Sequence, residues 1–367
     1  LGDVYKRQIA GAGTLIRPDF VVPYLAIFLF VLFYDREHRK FNFLAGAGIL
    51  ILFAGAQTVF RLLYFGEWFP NTYYLKLTGY PLLQRFTKGF YVFLKSIVVA
   101  DALLMIMPFF ILFFRRDRKI ILIFLMVILE VLYSIYAGGD AWEEHVAVNR
   151  FISIVMPLYL ILISYSLYYI CKYVVEELGA RNVIREDMKL SSLKIIFCVV
   201  IVASIFSINS NMLGALLPYR AAPQKSYARK LVVQAYALKK ITTAYAEVAT
   251  CELGTVAYFS ERPMIDILGK VDKKIAKQES HTIDTIGKYI YFRPGHTKYD
   301  YEYSIKEKKP DVIVRLWENA ETIKPYLEEN YITFKFRQSP FDYMWYLKKD
   351  SPNIIWENLD RLKEETL

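Results

Sequence analysis

Residues 120–169 read IILIFLMVILEVLYSI, YA, GGDAWEEHVAVNR and FISIVMPLYLILISYSLYY. Two apolar runs, Ile120–Ile135 and Phe151–Tyr169, enclose a polar segment that holds a Gly pair, a Trp, acids, a His and an Arg. A helix that crosses about 30 Å of hydrocarbon needs about 20 mostly apolar residues. The flanking runs approach that length, so the stretch reads as two membrane helices and their connecting loop. Such a loop has no packing need for this set of groups. Gly138 and Gly139 permit a tight turn that aims one side chain, that of Asp140. The segment therefore reads as a site for a polar ligand at a membrane surface.

The rest of the chain agrees with that setting. Of its 367 residues, 55% are hydrophobic, too apolar for an ordinary soluble domain of this length. The apolar residues concentrate before about residue 217. Spans are expected near 20–34, 42–64, 94–114, 120–137, 151–171 and 195–216. The formal net charge is +10, which by itself would fit nucleic acid. The basic residues instead cluster in short loops at 35–40, 115–119 and 172–194, where they act as membrane anchors and set topology. These loops share one face by parity. The positive-inside rule makes that face cytoplasmic, so the Gly138–Arg150 loop, Arg17-Pro18-Asp19, the 65–90 segment and the C-terminal region lie outside. Nucleic acid is not an expected partner; membrane lipid is. Leu1–Gln8 resembles a translated sequencing adapter and is set aside as non-native.

Residues 9–217 are thus expected to form a polytopic helical membrane bundle, and 218–367 a small extracytoplasmic α/β domain. In the latter, Ala222–Lys240 has helical spacing. Val248–Phe259, Met264–Gly269, Lys309–Val314, Tyr331–Phe334 and Met344–Leu347 read as strands. The 3 Cys show neither disulfide nor zinc spacing. There is no Gly-rich phosphate loop and no nucleophile elbow, which disfavours a soluble nucleotide-sugar enzyme.

The order of motifs resembles a family. Arg17-Pro18-Asp19 is followed by Tyr64-Phe65-Gly66-Glu67-Trp68-Phe69-Pro70-Asn71-Thr72-Tyr73-Tyr74. The Gly138-Gly139-Asp140 loop then closes with Asn149-Arg150-Phe151, and Glu252-Leu253-Gly254 and Ile265–Gly269 come after it. Together these are similar to the multi-spanning GT-C glycosyltransferases, in particular bacterial relatives of terminal arabinofuranosyltransferases and mannosyltransferase-like proteins. The resemblance implies transfer of a sugar, with inversion, from a polyprenyl-phosphate donor to a cell-envelope glycan or lipid acceptor, at the outer face of the bacterial cytoplasmic membrane. The family's usual general base lies in a first extracytoplasmic loop, and this chain is expected to begin after it. Two departures stand out: Ala141-Trp142-Glu143-Glu144 follows the Gly-Gly-Asp here, and that first loop is expected to lie upstream of this chain.

Glycosyl transfer needs a base for the acceptor hydroxyl and positive charge for the departing phosphate. Asp140, Glu143 and His145 are the candidate catalytic residues. Arg17, Asp19, Asn71, Tyr73, Lys76, Trp142 and Arg150 are candidate substrate contacts, with arginine able to bind phosphate in a fork. No organic cofactor is implied; a divalent cation is compatible with phosphate chemistry. Plainer readings stay open: Asp140 as a turn or cap residue, Arg17 and Arg150 as interfacial anchors, and Tyr73 as part of an aromatic belt. Glu130, Asp101 and Lys95 are charges inside apolar runs, and Glu130 is expected to pair with Lys95 or Arg61 or to line a donor pocket. His296–Asp300 is a polar cluster suited to an acceptor glycan. A transporter, flippase or sensor with an extracytoplasmic domain is the rival class.

Overall fold

The computed structural model describes residues 2–99, 105–115, 117–140, 149–180, 191, 195–196, 198–200, 202–203, 223–281 and 293–364. The chain divides into two compact units: Leu1–Pro70, Pro81–Gly214 and Ile283–Pro294 form the first, and Asn71–Tyr80, Ala215–Thr282 and Gly295–Leu367 the second.

The first unit is helical. It begins with α1 (Gly2–Ile16), α2 (Val21–Tyr34) and α3 (Arg39–Phe65), the last with a π-helical segment at Ile51–Gly55. After α4 (Asn71–Leu77), which belongs to the second unit, it resumes with α5 (Leu82–Val99), α6 (Arg118–Ala137) and α7 (Met156–Ala180). Asp117 caps α6 by accepting a hydrogen bond from the Lys119 amide at 2.8 Å. Helix α6 buries Ile120, Phe124, Val127, Glu130, Ser134 and Ala137, a stripe at three- and four-residue steps. Phe124 packs with Ile111, Tyr159, Leu162 and Leu167 in one apolar core. Helices α2 and α3 approach closely at Gly46, whose carbonyl accepts from the Tyr24 hydroxyl at 2.7 Å.

Among the described residues three helices are long and apolar enough to cross a membrane, Arg39–Phe65, Arg118–Ala137 and Met156–Val174, and Pro18–Tyr34 is a shorter apolar one. Phe41, Leu44, Ile51, Leu52, Leu63 and Phe113 are exposed, more apolar surface than a water-soluble bundle leaves uncovered. The expected span at 94–114 is not one continuous helix. Helix α5 starts earlier, at Leu82, and Met107–Phe110 is 3-10 in form, with Pro108 in its first turn. Most of the expected 195–216 span, and Asp101, lie outside the described residues.

The second unit is α/β. It contains α8 (Pro223–Ile241), β1 (Val248–Thr250), α9 (Leu253–Ser260), β2 (Met264–Asp266), β3 (Val312–Arg315), α10 (Lys324–Asn330), β4 (Tyr331–Gln338), β5 (Phe341–Lys348) and α11 (Asn358–Glu364). The sheet order is β2-β1-β3-β5-β4, with β1 parallel to β2 and β3 and the β4–β5 hairpin antiparallel. Alternation along β3 sends Val312 and Val314 to one core and Ile313 to the other. The expected long strand Val248–Phe259 is instead a short strand and then α9. An apolar run of that length suits either form, and burial of Val256 and Ser260, four apart, shows that the helical period prevails.

Candidate functional site

The C-terminal end of α6 is built to present Asp140. Gly138 and Gly139 both adopt left-handed φ, 85° and 76°. The Gly139 amide donates to the Ser134 carbonyl at 2.9 Å and the Gly138 amide to that of Ile135 at 3.1 Å. This paired pattern closes the helix and turns the chain sharply. Asp140 follows, buried. Arg150 grips it from the other end of the loop: Nη2 donates to Oδ1 at 2.6 Å, the backbone amide to Oδ2 at 3.3 Å, and Nε also donates to Oδ2. The Asp140 carboxylate holds the Arg150 guanidinium above its ordinary value, so the side chain stays charged while about half exposed.

The Arg150 backbone is held in turn. Its carbonyl accepts from Ser153 Oγ at 2.6 Å and from Arg17 Nη2 at 3.1 Å. Arg17 also forks onto Asp19, Nε to Oδ1 at 3.0 Å and Nη2 to Oδ2 at 2.5 Å. Asn149 donates to Ser134 Oγ at 2.6 Å and accepts from the Phe151 amide at 3.0 Å. Two segments far apart in sequence, 17–19 and 149–150, thus meet in the first unit through the Arg17 donation to the Arg150 carbonyl.

Below them lies Glu130. It is 0% exposed, and neither carboxylate oxygen has a hydrogen-bond partner among the described residues. The pairing with Lys95 or Arg61 expected from the sequence is not formed; the charges that act on Glu130 are Asp19 and Arg17. Trp142, Glu143 and His145 lie outside the described residues.

The other candidates sit in the second unit. Asn71 donates to the Gly269 and Lys270 carbonyls at 2.9 and 3.0 Å, which ties α4 to the turn after β2. Tyr73 packs edge-on against Tyr74, and Lys76 closes the last turn of α4. Asn71 therefore satisfies buried peptide carbonyls. In the His296–Asp300 cluster, Lys298 is fully buried, donating to the Tyr74 and Ala276 carbonyls at 2.9 and 2.8 Å. Tyr299 stacks on His281 with ring centres 3.9 Å apart. Both line an open cleft of about 490 Å³ with Gln278, Asp300 and Asn319. At the end of β1, burial pushes the Glu252 carboxyl up, and Arg315, paired to it, opposes that. Among the described residues no cluster of His, Cys, Asp and Glu could hold a metal ion.

Sequence reasoning passed over Gln84, Arg85 and Lys88, which are all buried near the start of α5. Basic and amide residues in a polar segment give no sequence signal that separates a buried group from a solvated one.

A family model described as a domain of unknown function (DUF8728) matches residues 221–349, the part of the chain that carries the sheet. No curated protein and no solved structure matches the chain.

Proposed function

We propose that this chain is an integral-membrane glycosyltransferase of the GT-C type, which moves a sugar from a polyprenyl-phosphate donor to a cell-envelope glycan or lipid. The reaction forms a bond from the acceptor oxygen to the anomeric carbon and breaks the bond to the phosphate oxygen. The departing polyprenyl phosphate keeps the electron pair. The acceptor proton passes to a carboxylate. Asp140 is our candidate for that carboxylate; Glu143 and His145 follow it closely in sequence. The exposed edges of Arg17 and Arg150 face the donor's phosphate, where cations stabilise developing charge.

The observation that carries this reading is the Arg17 contact with the Arg150 carbonyl, which joins the two Arg–Asp pairs. Convergent charge at the ends of apolar helices costs desolvation that fold stability alone does not require. Three membrane-length helices and the exposed apolar surface support a membrane setting. The basic loops at 35–40 and 115–119 support an orientation in which this site and the C-terminal unit face away from the cytoplasm.

Asp140→Asn tests it. The change keeps shape and removes charge, and Arg150 is exposed enough for water to take over part of the pairing. Sugar transfer by the purified full chain in membranes is expected to fall by roughly 10²-fold or more, the size typical for a positioned acid–base group. An unchanged rate would return Asp140 to a turn-closing role.

A further inference from the structure

Arg85 is a buried cation with no acidic partner among the described residues. It is 5% exposed, and its Nε and Nη1 have no hydrogen-bond acceptor among the described residues. Its guanidinium lies 4.6 Å from the centre of the Tyr136 ring. A cation–π contact of this kind is worth less than the cost of burying an unpaired charge. The buried or paired acids described above do not supply the missing partner. Asp140 is taken by Arg150 and Asp19 by Arg17. Glu130 responds to Asp19 and Arg17.

The surroundings of Arg85 are polar and rigidly placed. Gln84 and Lys88, its neighbours on the first turns of α5, are also buried, and Gln84 Oε1 lacks a donor. Helix α5 lies hard against the end of α6: a Cβ on Gly89 would stand 2.3 Å from the Ile135 carbonyl oxygen. That contact fixes Arg85 against Tyr136, four residues before Asp140.

We infer that Arg85, with Lys88 and Gln84, forms a binding site for the phosphate group of a sugar phosphate or lipid phosphate. The two unsatisfied N–H groups of Arg85 donate to phosphate oxygens, a strong charge-assisted pairing. Gln84 Oε1 accepts from a hydroxyl on the group that the phosphate carries. The inference deepens the transferase reading and rests on it. Arg17 and Arg150 share their charge with Asp19 and Asp140, and Arg85 adds a cation with no acidic partner among the described residues.

Thermal melting of the full chain in neutral maltoside detergent tests the site, with inorganic phosphate and phosphatidylglycerol as separate probes. The wild type is expected to melt several degrees higher with at least one of them. A rise with inorganic phosphate marks a site open to soluble phosphates, and a rise with phosphatidylglycerol alone marks a lipid headgroup site. Arg85→Met removes the charge but keeps the bulk. It should melt no lower than the wild type without ligand, because an uncompensated charge is gone, and should lose the anion-dependent rise. Arg85→Lys should keep part of it. The inference is overturned if neither probe raises the wild-type midpoint, or if Arg85→Met melts lower without ligand and retains the rise. Sugar transfer with no Arg85-dependent shift would sink the site and leave the transferase reading. An Arg85-dependent shift with no transfer would do the reverse.

Discussion

Asp140 is gripped through both carboxylate oxygens by Arg150, and Lys298 is buried against two carbonyls; each shows what burial does to a charge. Desolvation lowers the Lys298 ammonium from the ordinary 10.5 to about 8. Between those values the unfolded chain holds a proton that the folded chain has released, so stability rises with pH across that window and is flat below it. The melting midpoint of the wild type relative to Lys298→Met should therefore climb from pH 8 toward pH 10; parallel profiles would refute the assignment. The prominence of Asp140 was legible because its signal is local: two glycines, then an acid, between apolar runs. The pairing of Arg150 with Asp140 and the meeting of Arg17 with Arg150 follow only from how the helices pack. Lys298 and Arg85 were illegible as buried charges, since burial of a long side chain depends on partners distant in sequence.

At the scale of elements, apolar periodicity identified α6 and α7, whose length and composition leave one solution. It failed at Val248–Phe259, where a short apolar run suits strand or helix, and near 94–114, where Pro108 and the early start of α5 break the expected continuity. The close contact of α5 with α6 rests on one small residue. Gly89→Ala would drive a methyl group into the Ile135 carbonyl, a backbone atom that cannot step aside without moving the helix. Overpacking of this kind typically costs about 1–3 kcal/mol. A lower melting midpoint is expected, together with weaker phosphate stabilisation through Arg85. A midpoint equal to that of the wild type would show that the two helices are not locked there.

For the whole molecule, the presence of a helical unit and of a unit that carries a small sheet agrees with the composition, in which apolar residues thin out near 217. Less visible was that residues 71–80, which sit among the apolar runs in sequence, belong to the α/β unit. Asn71 explains this, since its amide serves carbonyls in the turn after β2. The candidate residues thereby fall into two groups, and the charged pairs at Arg17–Asp19 and Asp140–Arg150 stand in the helical unit. The central claim is that these pairs receive a polyprenyl-phosphate sugar. Photo-crosslinking of the full chain in membranes with a benzophenone-tagged polyprenyl-phosphate sugar tests this most directly. Label on peptides containing Arg17–Asp19 or Asn149–Ser153, displaced by untagged polyprenyl phosphate, is the predicted result. No displaceable label, or label confined to residues 223–364, would contradict it.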